Sequence, residues 1–176
     1  MLAFFHKIID VLDEVSIPYM LSGSVAMSAY ILPRATRNFD FVISLQKNDV
    51  DHFVRCFEEG YYCNSDAIRD AVNRRSIFNI IDHASGYKAD FVVLKKEAFR
   101  QEEFRRRVLM DYFDKKVYLV SAEDLLLSKI IWIQDYQSAL QMEDIRNLAQ
   151  LETLDWPYIR KWLKELNLST FNLLPN

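Results

Sequence analysis

Two aspartates stand out in this chain because each interrupts an apolar run. Asp40 lies within Asn38-Phe39-Asp40-Phe41-Val42-Ile43, and Asp90 within Lys88-Ala89-Asp90-Phe91-Val92-Val93. Both runs read as strands. Strand alternation groups Asn38, Asp40 and Val42 on one face and Phe39, Phe41 and Ile43 on the other; it likewise groups Lys88, Asp90 and Val92 opposite Ala89, Phe91 and Val93. An unpaired carboxylate in such surroundings is costly, so each needs a cation, a hydrogen-bond donor or water. If the strands are neighbours, cross-strand Cβ atoms on one face lie about 5 Å apart. Two carboxylates that close repel, and a hard divalent cation bound through oxygen relieves the repulsion; Mg²⁺ typically takes one or two carboxylates plus substrate phosphates. Arginine or lysine partners would satisfy the same spacing equally well.

A phosphate-sized feature precedes them. Ser22-Gly23-Ser24 separates a short apolar strand, Tyr19-Met20-Leu21, from a helix over about Ser24–Tyr30, which Pro33 closes. Backbone N–H groups at such a turn can cradle a phosphate, although many such turns only reverse the chain. Arg34 and Arg37 flank the entry to the Asp40 strand and suit either substrate phosphates or the aspartates themselves. Thr36 reads as a residue that orders the loop.

The remaining elements must hold these residues in place. Leu2, Phe5, Ile8, Ile9, Leu12 and Val15 recur at helical spacing up to Pro18. The Asp40 strand runs on to about Leu45; Asn48 or Asp49 can then cap a helix to about Glu59. Over 61–73 the signal is weaker, with a short helix at Ala67–Val72. Ser76–Ile81 and Tyr87–Leu94 read as strands joined by a hairpin-like connection. Lys96–Tyr112 reads as one charged helix with Glu102–Arg106 and Glu103–Arg107 pairs, and Lys116–Val120 as a strand. Ser121 with Asp124 three positions later opens a further helix through Ile133. Two more helices follow over about 138–150 and 156–166, the last capped by Asp155 with Pro157 in its first turn. The order predicts an α/β (α+β) fold: one domain over 1–176, with an α/β core over 1–120 and a helical C-terminal extension over 121–176.

Composition narrows the function classes. At 176 residues with 51% hydrophobic side chains, the chain can fill a core, which argues against disorder. A net charge of −3 gives no global pull toward nucleic acid or acidic membranes but leaves room for a local basic groove. Cys56 and Cys63 lack zinc-like spacing and read as reduced thiols; His6, His52 and His83 show no His-x-x-x-His pattern, which argues against zinc. Asp10, Asp13 and Glu14 break the N-terminal apolar pattern, unlike a signal peptide, and no apolar run approaches the ~20 residues of a membrane span. A soluble cytoplasmic protein is expected. Arg105-Arg106-Arg107 could track an RNA backbone, but a solvated helix face is the expected role. Trp132, Trp156 and Trp162 are expected to anchor helix packing. Asp144 reads as a site residue or as a helix-surface acid paired with Arg146 or Lys129.

Taken in order, Leu21-Ser22-Gly23-Ser24 and then Pro33-Arg34-Ala35-Thr36-Arg37-Asn38-Phe39-Asp40-Phe41-Val42 resembles the signature of the polymerase-β-like nucleotidyltransferase superfamily. That signature is a glycine turn followed by an acid–hydrophobic–acid triplet on a strand. Lys88-Ala89-Asp90-Phe91 is similar to the strand that brings the third acid. Val120-Ser121-Ala122-Glu123-Asp124-Leu125 with Lys129, then Glu143-Asp144-Ile145-Arg146, resembles the small bacterial branch related to the AbiEii toxin. The resemblance covers roughly residues 17–150 and implies a mixed sheet flanked by helices. It also implies an NTP held at Gly23 and Ser24, with Arg34, Arg37 and Lys129 adding positive charge, and Mg²⁺ or Mn²⁺ held by Asp40, Asp90 and Asn38. The implied activity is nucleotidyl transfer to a hydroxyl on RNA, protein or a small molecule, the toxin branch suggesting tRNA as acceptor and an antitoxin as partner. Asn38 stands where the family's first acid would be. An amide oxygen ligates a cation without charge, so the alternative is a degenerate module that binds nucleotide or a partner protein.

Overall fold

Alternating burial along the two aspartate strands organises the molecule. In β2 (Asn38–Ile43) the buried residues are Phe39, Phe41 and Ile43; in β5 (Lys88–Val93) they are Ala89, Phe91 and Val93. The chain is described here by a computed structural model covering residues 1–33 and 35–175, so Arg34 lies outside the described residues. β2 and β5 pair in parallel and in register at the centre of a seven-stranded mixed sheet of order β3-β4-β5-β2-β1-β7-β6. The other strands are β1 (Tyr19–Ser22), β3 (Tyr61–Cys63), β4 (Ile77–Asp82), β6 (Val108–Tyr112) and β7 (Lys115–Leu119). β1 runs antiparallel to β2 and parallel to β7, while the β3–β4, β4–β5 and β6–β7 pairs are antiparallel.

Helices cover the phenylalanine face. α1 (Leu2–Glu14) buries Phe4, Phe5, Ile8, Ile9 and Leu12, and its Phe5 ring lies 5.3 Å from Phe39 and 6.4 Å from Phe41. α3 (Val50–Arg55), which follows the short α2 (Gly23–Met27), sets Phe53 edge-on to Phe91 at 5.7 Å. Each such ring contributes about 1.5–3 kcal/mol on leaving water. α4 (Ser65–Arg74) starts where the Asn64 side chain accepts from the Ala67 N–H at 3.0 Å. The other face carries the aspartates and meets α6 (Ala122–Asp135) across a groove that α5 (Ala98–Arg105) also lines. α7 (Ala139–Leu148) and α8 (Trp156–Glu165) complete the helical end, the latter capped by Asp155, whose carboxylate accepts from the Tyr158 N–H at 3.1 Å.

The single helix expected over Lys96–Tyr112 is instead α5 followed by β6. β6 turns into β7 through Phe113-Asp114, both at positive φ (49° and 60°), the backbone of a two-residue hairpin. Aspartate is a common residue in such turns, but phenylalanine is not. Phe113 is held there by edge contact with Phe5 at 5.4 Å and by His6 Nε2, 2.6 Å from its carbonyl. The expected Glu102–Arg106 and Glu103–Arg107 pairs do not form, because the helix ends at Arg105; Glu102 pairs with Arg105 and Glu103 with Arg100. Over 61–73 the structure adds β3 and lengthens the expected short helix to α4, while the helix expected over Ser24–Tyr30 shortens to α2 and a succession of turns.

Asp124 does more than start α6. It is 0% exposed and accepts from Ser121 Oγ at 2.7 Å, Tyr158 Oη at 2.6 Å and Arg106 Nε at 3.1 Å. The Arg106 guanidinium also stacks over the Tyr158 ring at 3.9 Å. Burial, and donation to this carboxylate, raise the Tyr158 pKa far above the usual phenol value. One acid thereby ties the end of α5, the start of α6 and α8 together. Asp124→Ala strands the buried Ser121 hydroxyl, the half-buried Tyr158 hydroxyl and a cation, and should destabilise the fold by about 3–5 kcal/mol; Tyr158→Phe should cost about 1–3 kcal/mol. Urea unfolding midpoints test the order: equal losses in the two variants would remove Asp124 as the hub.

Candidate active site

Strand register assembles the site. Asp40 is paired with Asp90 across β2–β5 and with Ser22 across β1–β2, so Ser22, Asp40 and Asp90 form one row across the sheet. Neighbouring strands lie about 4.8 Å apart, which brings the two carboxylates to the separation expected for adjacent strands. Asn38, two residues before Asp40 and on the same face, places its Nδ2 between them, donating to Asp40 Oδ1 at 2.7 Å and to Asp90 Oδ2 at 2.9 Å. Lys88 Nζ, also on that face, lies 2.9 Å from Asp90 Oδ2.

The glycine turn comes against the same carboxylate. Gly23 has φ +64°, and a Cβ built on it would lie 2.0 Å from Asp40 Oδ2. Only glycine satisfies both the backbone conformation and the space. The turn backbone therefore lies directly on the Asp40 side chain.

The glycine turn and Asp40 open into a groove of about 600 Å³, lined by Ser22, Gly23, Ser24 and Asp40 at one part and by Val42, Val92, Leu94 and Ile77 along the sheet; Asn38 and Asp90 are not among its lining residues. Leu125, Ser128, Lys129 and Trp132 line it from α6, at spacings that keep them on one helix face. Lys129 is buried, with Nζ 2.8 Å from Asp144 Oδ2 and 3.0 Å from Gln141 Oε1. Asp144 is thus not a surface acid: it is 3% exposed, and its partner is Lys129 rather than Arg146. Trp132 does not pack in the core; it is 63% exposed and stands at the groove. Arg37 is exposed and is not among the groove-lining residues.

Sequence reading missed the α5 wall. Glu103 is 2% exposed, accepts from Ser128 Oγ at 2.5 Å and from Arg100 Nη1 at 2.9 Å, and its carboxyl pKa is raised by burial against the opposing pull of Arg100. In sequence it is one acid in a charged helix, with no signal of burial. The Arg105–Arg107 run makes no basic face: Arg105 pairs with Glu102, Arg106 with Asp124 and Glu123, and Arg107 donates to the Phe104 carbonyl at 2.7 Å. Cations gather elsewhere, where Arg74, Arg75, Lys95 and Lys96 line a second pocket with Ser76 and Glu97, Arg74 being paired with Asp70 at 2.8 Å; Ser76 and Lys95 also line the groove.

The donor set suits a hard cation. Asp40 and Asp90 offer carboxylate oxygens within reach of one NH₂ group, and Asn38 Oδ1 is buried without a hydrogen-bond partner among the described residues. Half a turn of the amide would exchange its two ends and bring that oxygen to the carboxylates, an arrangement favourable only with a cation between them.

No protein-family model matches the sequence, and no curated protein matches it. Solved structures do. The chain is similar to the antibiotic-resistance factor ANT(2'')-Ia in solution, with TM-score 0.61 and 12% identity over 94% of this chain and 90% of that one. It is similar to the crystal structure of ANT(2'')-Ia in complex with adenylyl-2''-tobramycin, with TM-score 0.60 and 12% identity over 94% of this chain and 98% of that one. An antigenic nucleotidyltransferase-like protein from Paracoccidioides brasiliensis matches with TM-score 0.52 and 16% identity over 94% of this chain and 86% of that one. At such identities the likeness is one of fold, and on it the chain has a nucleotidyltransferase fold: a mixed sheet flanked by helices.

Proposed function

We propose that the chain transfers a nucleotidyl group from an NTP to a hydroxyl acceptor with the help of Mg²⁺ or Mn²⁺. The observation that carries this reading is the contact of the glycine turn with one of two facing carboxylates, Gly23 against Asp40 and Asp40 beside Asp90. A triphosphate laid on Gly23 and Ser24 would meet any cation held by that pair. Asp40, Asp90 and the turned amide of Asn38 would hold it, and when bound it would neutralise charge on the phosphates and on the departing pyrophosphate. Lys129 adds positive charge on the facing wall, steadied by Asp144. Arg37, one residue ahead of Asn38 and exposed, has the reach to turn toward phosphate. The acceptor oxygen bonds to the α-phosphorus, the bond to the bridging oxygen breaks toward pyrophosphate, and the hydroxyl proton passes to Asp90.

Trp132 and Ile77, both exposed at the groove, offer apolar surface for the nucleobase. The cations around Ser76 adjoin the groove and favour an anionic acceptor, so an RNA hydroxyl, tRNA included, is the acceptor proposed ahead of protein or small molecules. A toxin-like role and an antitoxin partner are carried by the resemblance alone. Among the described residues no helix is long and apolar enough to cross a membrane.

A second reading, a degenerate module that binds nucleotide or a partner protein, is favoured by one observation: the Asn38 amide donates to both carboxylates where the cation would lie.

Labelled NTPs incubated with Mg²⁺ or Mn²⁺, total RNA and the protein should put label into RNA, and Asp40→Ala should reduce transfer by at least roughly 100-fold. Nucleotide binding indifferent to metal, with no transfer, would favour the module. Asn38→Asp adds a third carboxylate, so it should lower stability without metal and tighten Mg²⁺ binding about tenfold; thermal unfolding with and without Mg²⁺ reads both effects, and a variant insensitive to Mg²⁺ would remove position 38 from the site. Trp132→Ala should weaken NTP binding by about 1–3 kcal/mol while leaving inorganic tripolyphosphate binding unchanged, and equal losses for the two ligands would count against base stacking there.

A further inference from the structure

The face of the sheet turned away from the groove carries a second cluster of ligating side chains. Glu14 is the last residue of α1, and His52 and Cys56 lie four positions apart along α3 and its C-cap. Residues so spaced share one helix face. The carboxylate, imidazole and thiol converge: ligating atoms from the three all lie within 4.8 Å of one another, with Glu14 Oε1 3.6 Å from His52 Nε2. That separation is too long for a hydrogen bond, so the pair is not closed on itself. The Cys56 thiol meanwhile donates to the His52 carbonyl at 3.3 Å, a weak contact that rotation of the side chain releases.

We propose that Glu14, His52 and Cys56 form a zinc site that fastens α1 to α3. Tetrahedral Zn²⁺ with bonds of about 2.0–2.3 Å holds its ligand atoms about 3.3–3.8 Å apart. The three side chains therefore need to close by only about 1 Å, and small rotamer adjustments supply that for side chains open to solvent. Glu14 and His52 are exposed and Cys56 is half-buried, so an ion can enter and a water can complete the tetrahedron. One sulfur, one nitrogen and one oxygen suit a borderline-soft ion, whereas Mg²⁺ takes oxygen. Burial and the Glu14 carboxylate hold the Cys56 thiol above its ordinary pKa while Lys7 and Arg55 pull it down, so zinc binding must displace a proton. α1 and α3 pack on the Phe39, Phe41 and Phe91 side, opposite Asp40 and Asp90, so this zinc takes no part in chemistry at the groove. Its effect is on stability, through selective binding to the folded chain.

The full chain, freed of metal with a chelator, is titrated with Zn²⁺ by calorimetry, and its thermal unfolding is followed with and without the ion. In excess Mg²⁺, which occupies oxygen sites but not this one, one equivalent of zinc should bind and raise the midpoint. Cys56→Ser and His52→Ala should each weaken binding by roughly tenfold or more and abolish the shift. Cys63→Ser should bind zinc as the parent does. Cobalt in place of zinc should give a thiolate charge-transfer band that Cys56→Ser removes. Circular dichroism of the metal-free variants should match the parent, which separates lost ligation from lost folding. Absence of stoichiometric binding in the parent overturns the proposal, as does undiminished binding in both ligand variants or loss of binding in Cys63→Ser.

Discussion

Two negative charges set one strand apart on the same sheet face repel each other, and much of this molecule answers that repulsion. The parallel, in-register pairing of β2 with β5 makes the encounter unavoidable. Among the described residues the response includes one amide nitrogen shared by the two carboxylates and the Lys88 ammonium beside Asp90. The shared amide lets the two carboxylates lie side by side in paired strands. Asn38 thus serves folding by the same hydrogen bonds that a cation would have to displace.

The surrounding architecture keeps that arrangement stiff on one side and open on the other. The phenylalanine face is covered by α1 and α3 with rings in mutual contact, so β2 and β5 cannot shift relative to each other without breaking aromatic packing. The aspartate face is spanned by α6, which is anchored away from the sheet through Asp124 and through the Lys129–Asp144 pair. Precision lies in the sheet, while the facing wall is hung on buried charges.

Much of this was readable from residue order because period-two alternation is a strong signal when one face is wholly apolar. Asp40 and Asp90 could each be put on the face opposite its strand's phenylalanines, but only the pairing of β2 with β5 makes that face a common one. The pattern failed where its usual punctuation was missing. Phe113-Asp114 makes a tight hairpin with neither glycine nor asparagine, so β6 merged with the preceding charged helix. Glu103 and Asp144 look like surface acids in sequence because burial of a charge is decided by partners far along the chain, Ser128 and Arg100 for one, Lys129 for the other. Glu14 could not be associated with His52 and Cys56, since only tertiary packing of α1 beside α3 brings them together.

The tight fit of Gly23 against Asp40 also sets unequal evolutionary constraints on the site. Any side chain at position 23 collides with the carboxylate, and the left-handed backbone there adds its own penalty, so that position is closed to drift while Asp40 remains. Position 38 is the opposite case. Asparagine and aspartate codons differ by a single nucleotide, and both side chains have the same size and shape. Position 38 can therefore pass between a neutral amide and a carboxylate by point mutation without rebuilding the loop, which makes the charge of this cluster its most evolvable property and the glycine turn its least.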